Sequence, residues 1–188
     1  MALVNNNLIT KGLSGTLGRT LVFRKVGDKT VVSTVPTTTK APTEAQQNQR
    51  ERFQQAVLYA KAQMADPDTK ADYEALAKGA GQPNAYNVAV ADFFNAPDIA
   101  EVDLSNYTGK IADTIRVKVT DDFKVKTVSV EIRDAAGTLV ERGNATMQVN
   151  KLDWVFTATV ANASLSGDRI TIKAVDMPGN ETTEEQTL

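Results

Sequence analysis

The feature that most constrains this chain is a change of hydrophobic period near Ile99. Before it, apolar residues recur at three- and four-residue steps; after it, they alternate one by one. Ile115, Val117 and Val119 alternate with polar neighbours. So do Val128, Val130 and Ile132, then Trp154, Phe156, Ala158 and Val160, then Ile170, Ile172 and Ala174. Turn signals separate these runs at Thr120-Asp121-Asp122, Ala136-Gly137, Gly143-Asn144, Ser166-Gly167-Asp168 and Pro178-Gly179-Asn180. Short half-buried strands with regular turns predict a two-sheet sandwich of about seven strands, with Trp154 near its core centre.

The helical period lies upstream. Thr43 is placed to cap a long helix, with Gln46 at the reciprocal capping-box position. Phe53, Ala56, Val57, Ala60 and Met64 make its expected apolar face, opposite a Gln-rich polar one. Asp66-Pro67 predicts a second cap and a Pro at the first helical position. Tyr73, Leu76 and Ala77 then face inward, and Gly79 and Gly81 end the helix. Asn84 starts a third, short helix through Val88, Val90, Phe93 and Phe94, closed by Pro97.

Residues 20–35 read as a β-hairpin turning at Gly27-Asp28. A two-stranded hairpin is marginal in water, so it must pack on the helices or pair its edges with another chain. Residues 1–18, with Gly12, Gly15 and Gly18, read as an irregular arm; no strand–turn–helix context supports a dinucleotide fingerprint. Residues 36–42 form an extended linker. The expected organisation is therefore α+β. An arm, hairpin and linker occupy 1–42, a helical region 43–97 and an immunoglobulin-like sandwich 98–188.

The chain of 188 residues carries a net charge of −2 but spreads it unevenly. Residues 1–50 hold Lys11, Arg19, Arg24, Lys25, Lys29, Lys40 and Arg50 against Asp28 and Glu44, a net of +5, which leaves −7 for the remainder. Oppositely charged ends can attract head to tail between copies; a basic stretch without a partner is the alternative. There is no Cys and no His. Disulfides, thiolate sites and the commonest general base and metal ligand are thereby excluded. No apolar run approaches the roughly 20 residues that span a bilayer. The N-terminal residues lack the charged and apolar regions of a Sec signal, so a cytoplasmic, virion-associated or signal-free exported protein is expected.

Two segments resemble known groups. Asp113-Thr114-Ile115-Arg116-Val117, Thr120-Asp121-Asp122-Phe123-Lys124-Val125, Val128-Ser129-Val130-Glu131-Ile132 and the close Ala174-Val175-Asp176-Met177-Pro178-Gly179-Asn180 resemble bacterial immunoglobulin-like modules. That resemblance implies a sandwich; such modules serve adhesins, surface enzymes and phage structural proteins alike. Gly12-Leu13-Ser14-Gly15, Val22-Phe23-Arg24, Gly27-Asp28-Lys29-Thr30-Val31-Val32, Arg52-Phe53, Tyr59-Ala60-Lys61, Asp66-Pro67 and Tyr73 resemble a group of uncharacterised bacterial proteins with no assigned activity.

Candidate chemistry is sparse. Asp121, Asp122 and Asp176 could gather at one end of the sandwich as oxygen ligands for Ca²⁺, although no loop has EF-hand spacing; acidic turns in solvent are the simpler reading. Glu44, Glu51 and the acids at 66, 68, 72 and 74 could supply a carboxylate pair, but they sit on polar faces or at helix starts. Ser14 and Ser33 have no His to activate them. Arg19, Arg24, Lys25 and Lys29 around Phe23 could suit a nucleic-acid groove, yet on a hairpin they serve equally as edge protection. No enzyme, cofactor, metal site, nucleic-acid partner or membrane span is expected. The expected partner is another copy of the chain, gripped through Leu3, Val4, Leu8 and Ile9 of the arm and Leu21, Phe23 and Val31 of the hairpin, to build a filament, tube or particle. A protein or glycan ligand bound by sandwich-loop aromatics, Tyr107 and Phe123, is the alternative.

Overall fold

The computed structural model describes residues 2–4, 10, 12–26, 29–35, 41–79 and 84–188. The chain divides into two compact units, Met1–Gln47 and Asn48–Leu188.

In the first unit, strands β1 (Ala2–Val4), β2 (Gly15–Leu17), β3 (Leu21–Val26) and β4 (Lys29–Thr34) form one antiparallel sheet in the order β1-β4-β3-β2. Pairing of Val26 with Lys29 fits the expected two-residue turn, whose residues 27–28 lie outside those described. The arm differs from expectation. Its residues 2–4 and 15–17 are edge strands, with Leu3 opposite Val31 and Leu17 opposite Leu21. Both edges of the hairpin offer open backbone donors and acceptors, and short segments of the chain itself fill them. Gly18 and Arg19, both at positive φ (59° and 55°), turn β2 into β3, and Thr20 N–H donates to the Leu17 carbonyl at 3.2 Å.

Three helices follow: α1 (Glu44–Ala65), α2 (Pro67–Gly79) and α3 (Ala85–Asp92). Each starts where local cap chemistry dictates. Thr43 Oγ1 accepts from Gln46 N–H at 3.3 Å while Gln46 Oε1 accepts from Thr43 N–H at 3.1 Å. Asp66 Oδ1 accepts from the Asp68 and Thr69 amides at 2.9 and 3.0 Å, and Asn84 Oδ1 from Asn87 at 2.8 Å. The expected apolar face of α1 is only partly used: Ala56 and Ala60 are buried, but Phe53 is 52% exposed. The small residues let the helix backbone approach its neighbours, and Phe53 is left at the margin, stacked on Phe94 at 6.4 Å. Ala60, Tyr73, Ala85 and Ala89 make a small core, with Met64, Val88, Val90 and Phe123 packed against it. Among the described residues, no helix is long and apolar enough to cross a membrane.

The remainder is a sandwich of β5 (Asp98–Asp103), β6 (Thr114–Thr120), β7 (Val125–Arg133), β8 (Leu139–Asn144), β9 (Thr146–Met147), β10 (Asp153–Thr157), β11 (Arg169–Asp176) and β12 (Glu181–Thr187). Its antiparallel sheets run β5-β6-β10-β9 and β12-β11-β7-β8. Lettered in chain order with β8 as C′, this is ABED against GFCC′, the immunoglobulin-type arrangement. The alternating residues of β6, β7 and β11 are all buried, with Trp154 and Phe156 among them. Two sequence expectations fail locally. Val160 is 43% exposed, because β10 ends at Thr157. Gly143-Asn144 is not a turn but the end of β8. A methyl at Gly143 would lie 2.9 Å from the Phe156 ring, so glycine is there for close packing.

Candidate functional site

Two places gather side chains that the fold alone does not explain. The first is the N-terminal sheet. Successive side chains alternate between its faces, so Leu21 and Phe23 share one face while Val31, paired with Arg24, lies on the other. The expected assembly residues are therefore split. Phe23 is 9% exposed and is the one buried apolar side chain among those described in the first unit. Leu13, Leu17, Leu21 and Val26 are exposed. Leu3 and Val4 pair through their backbones with Val31 and Thr30. Leu8 and Ile9 lie outside the described residues. Leu17, directly opposite Leu21, went unnoticed in the sequence because an irregular arm has no faces to assign. Arg19, Arg24, Lys25 and Lys29 are all exposed.

The second place is the seam between the helices and one end of the sandwich. The C-terminal end of α3 delivers Asp92, which is 1% exposed. Its Oδ2 accepts from the Tyr73 hydroxyl of α2 at 2.6 Å and the Tyr59 hydroxyl of α1 at 3.3 Å. Its Oδ1 is buried without a partner. Asp121, in the β6–β7 turn, takes the Phe123 amide on Oδ2, and its Oδ1 is also buried and unpartnered. Asp176, fully buried, is satisfied by its own turn. Oδ1 accepts from the Gly179 and Asn180 amides at 2.7 and 2.6 Å, and Oδ2 from Asn180 Nδ2 at 2.8 Å. The same Nδ2 reaches the carbonyls of Asp92, Phe93 and Asn95, tying α3 to the β11–β12 turn. Phe123 stacks on Tyr73 with ring centroids 3.7 Å apart.

Burial pushes the Asp92 carboxyl up to about 6, with the Tyr73 hydroxyl opposing and the charges of Asp121 and Asp176 adding to the rise. Burial also raises Asp121, and lifts Tyr59 to about 12 and Tyr73 still further. Of the three acids grouped in the sequence, Asp121 and Asp176 belong to this seam. Asp122 is exposed and accepts from Asn95 Nδ2 at 2.5 Å. Among the described residues, no group of three or more acidic side chains is arranged to hold a metal ion.

Of the other carboxylates considered for catalysis, Glu44, Glu51 and Asp68 are exposed on the helices, and three have structural work. Asp66 caps α2, and the Thr69 and Asp68 amides hold it below the usual carboxylate range. Asp72 pairs with Lys124, and Glu74 with Lys70 at 3.9 Å. The two loop aromatics are likewise engaged. Tyr107 is 5% exposed and its hydroxyl accepts from Asn162 Nδ2 at 3.2 Å, while Phe123 belongs to the seam.

No family model matches the chain, and no curated protein matches it. Among solved structures it is similar to an engineered protein, at 20% identity over 42% of this chain and 15% of that one, with a TM-score of 0.32. It is also similar to CopC from Methylosinus trichosporium OB3b, at 16% identity over 47% of this chain and 87% of that one, with a TM-score of 0.36. Neither likeness is close enough to carry a functional argument.

Proposed function

We propose that the chain is a non-enzymatic structural subunit that assembles with copies of itself through its N-terminal sheet. The observation that carries this reading is the imbalance of that sheet. Burying one Phe contributes roughly 1.5–3 kcal/mol. Ordering the two six-residue strands β3 and β4 costs on the order of 10 kcal/mol or more in backbone entropy, and each ladder hydrogen bond returns only about 1 kcal/mol net. Apolar cover has to come from a further surface, and Leu17 and Leu21 stand ready to receive it. Charge favours a second copy. Residues 1–47 carry six Lys or Arg against two acids, while the rest of the chain is acidic. A short strand such as β1, which completes its own sheet, can equally complete a neighbour's, with main-chain pairing supplying affinity. The absence of His and Cys, and the cap and ion pairs that occupy Asp66, Asp72 and Glu74, support a chain without catalysis.

Light scattering across concentration and salt, followed by negative-stain microscopy, tests this. The expected result is large, regular species that shrink as NaCl approaches about 1 M, where the screening length falls to about 3 Å. A 20.3 kDa monomer at every concentration and salt would overturn it.

A further inference from the structure

The seam brings together carboxyl groups without bringing a cation to them. Asp92 and Asp176 are 1% and 0% exposed; Asp92 feels the charges of Asp121 and Asp176, and Asp121 those of Asp176 and Asp122. From α1 and α2 only the neutral hydroxyls of Tyr59 and Tyr73 face Asp92, and both donate to its Oδ2. From the β6–β7 turn come Asp121 and, beyond it, Asp122 and Lys124. Lys124 is committed to Asp72, and Asp122 to Asn95. From the β11–β12 turn come Asp176 and the neutral amide of Asn180. No Lys or Arg among the described residues bonds to Asp92, Asp121 or Asp176. The oxygens left over, Oδ1 of Asp92 and Oδ1 of Asp121, are the two buried carboxylate atoms without a partner among the described residues. Like charges in a dry space are the arrangement a fold tolerates least, and a bound proton both removes one charge and turns an orphan acceptor into a donor.

We propose that this seam is a proton-operated latch: one proton held between Asp92 and Asp121, whose Oδ1 atoms are the buried oxygens without a partner, locks the three helices onto the end of the sandwich, and its loss slackens them. Burial places the Asp92 proton in the mildly acidic range, with its carboxyl at about 6 against an ordinary 3.8. The folded chain therefore binds this proton more tightly than the unfolded chain does. The stabilisation is complete below the ordinary carboxylate range and is lost as pH rises through about 6. Tyr59 and Tyr73, raised well above this window, keep their protons throughout. Asp66, Asp103 and Asp113 are lowered, so their contributions run the other way and are lost only in stronger acid.

The test is urea unfolding of the full chain from about pH 5 to about pH 8 at fixed salt with EDTA, paired with hydrogen exchange of the α2 and α3 amides corrected for intrinsic rates. The folding equilibrium should weaken by about tenfold across that window, with α2 and α3 losing protection first. Asp92→Asn keeps an acceptor for the tyrosines and supplies a permanent donor, so its profile should be flat. Asp121→Asn should flatten the profile partly, and serves alone if Asp92→Asn does not fold. A flat wild-type profile, or an Asp92→Asn profile matching wild type, overturns the latch. So does a rise in the wild-type midpoint at about pH 7.5 when CaCl₂ replaces EDTA, because the counter-charge would then be a metal cation.

Discussion

Gly109 has no room for a single extra carbon. Its φ is +87°, and a Cβ there would sit 2.4 Å from the Asn162 carbonyl oxygen and 3.1 Å from Leu165 Cδ2. The clash is with backbone, which cannot rotate aside, and the two loops are already joined by the Asn162 N–H to the Gly109 carbonyl at 2.8 Å. Gly109→Ala should therefore cost roughly 2–4 kcal/mol, combining a left-handed backbone strain with overpacking; the urea midpoint of the purified variant measures it. Gly109 was silent in the sequence. So was Gly143, which read as a turn because Gly-Asn usually is one; its reason, the Phe156 ring, comes from another strand. Asp92 was silent in the same way. Its hydroxyl partners lie 33 and 19 residues away, and Ala-Asp-Phe-Phe by itself reads only as the end of a helix.

Elements are more legible than sites because their signals are local. Thr43, Asp66 and Asn84 each cap the helix they announce, since an Asp, Asn or Thr oxygen needs only the amides two or three residues on. Asp66→Ala should accordingly lower stability by about 1 kcal/mol and fray the first turn of α2. The comparison is thermal unfolding by circular dichroism against wild type, with Asp66→Asn as a variant that retains most of the cap. The alternating strands of the sandwich declared themselves equally well, because a period of two survives wherever one face is buried. Failures occurred where an element borrows its reason from elsewhere. Phe53 follows the helical period yet lies outside the α1 contact, because Ala56 and Ala60 set how close that contact is. The arm has no period of two, so nothing local marked residues 2–4 and 15–17 as strands; they are strands because β3 and β4 offer them edges.

At the scale of the molecule, the two units differ in what they need. The second holds its own cores, one inside the sandwich around Ile115, Val130, Trp154 and Ile172 and one beneath the helices around Tyr73 and Ala89. The first holds Phe23. Deleting residues 1–18 removes β1 and β2 and leaves β3 and β4 as a two-stranded hairpin, which is marginal in water. The second unit loses nothing from either core. Unfolding followed through Trp154, the one tryptophan and a core residue, should therefore shift by no more than about 1 kcal/mol. Assembly should disappear, because the strand available for exchange and the exposed Leu13 and Leu17 go together. Light scattering on the truncated chain, beside the full chain at matched concentration, reads the outcome. A truncated chain that still assembles would place the contact outside the arm and end the strand-exchange mechanism. A truncated chain whose Trp154 transition collapses would instead show that the sandwich depends on the first unit for its stability.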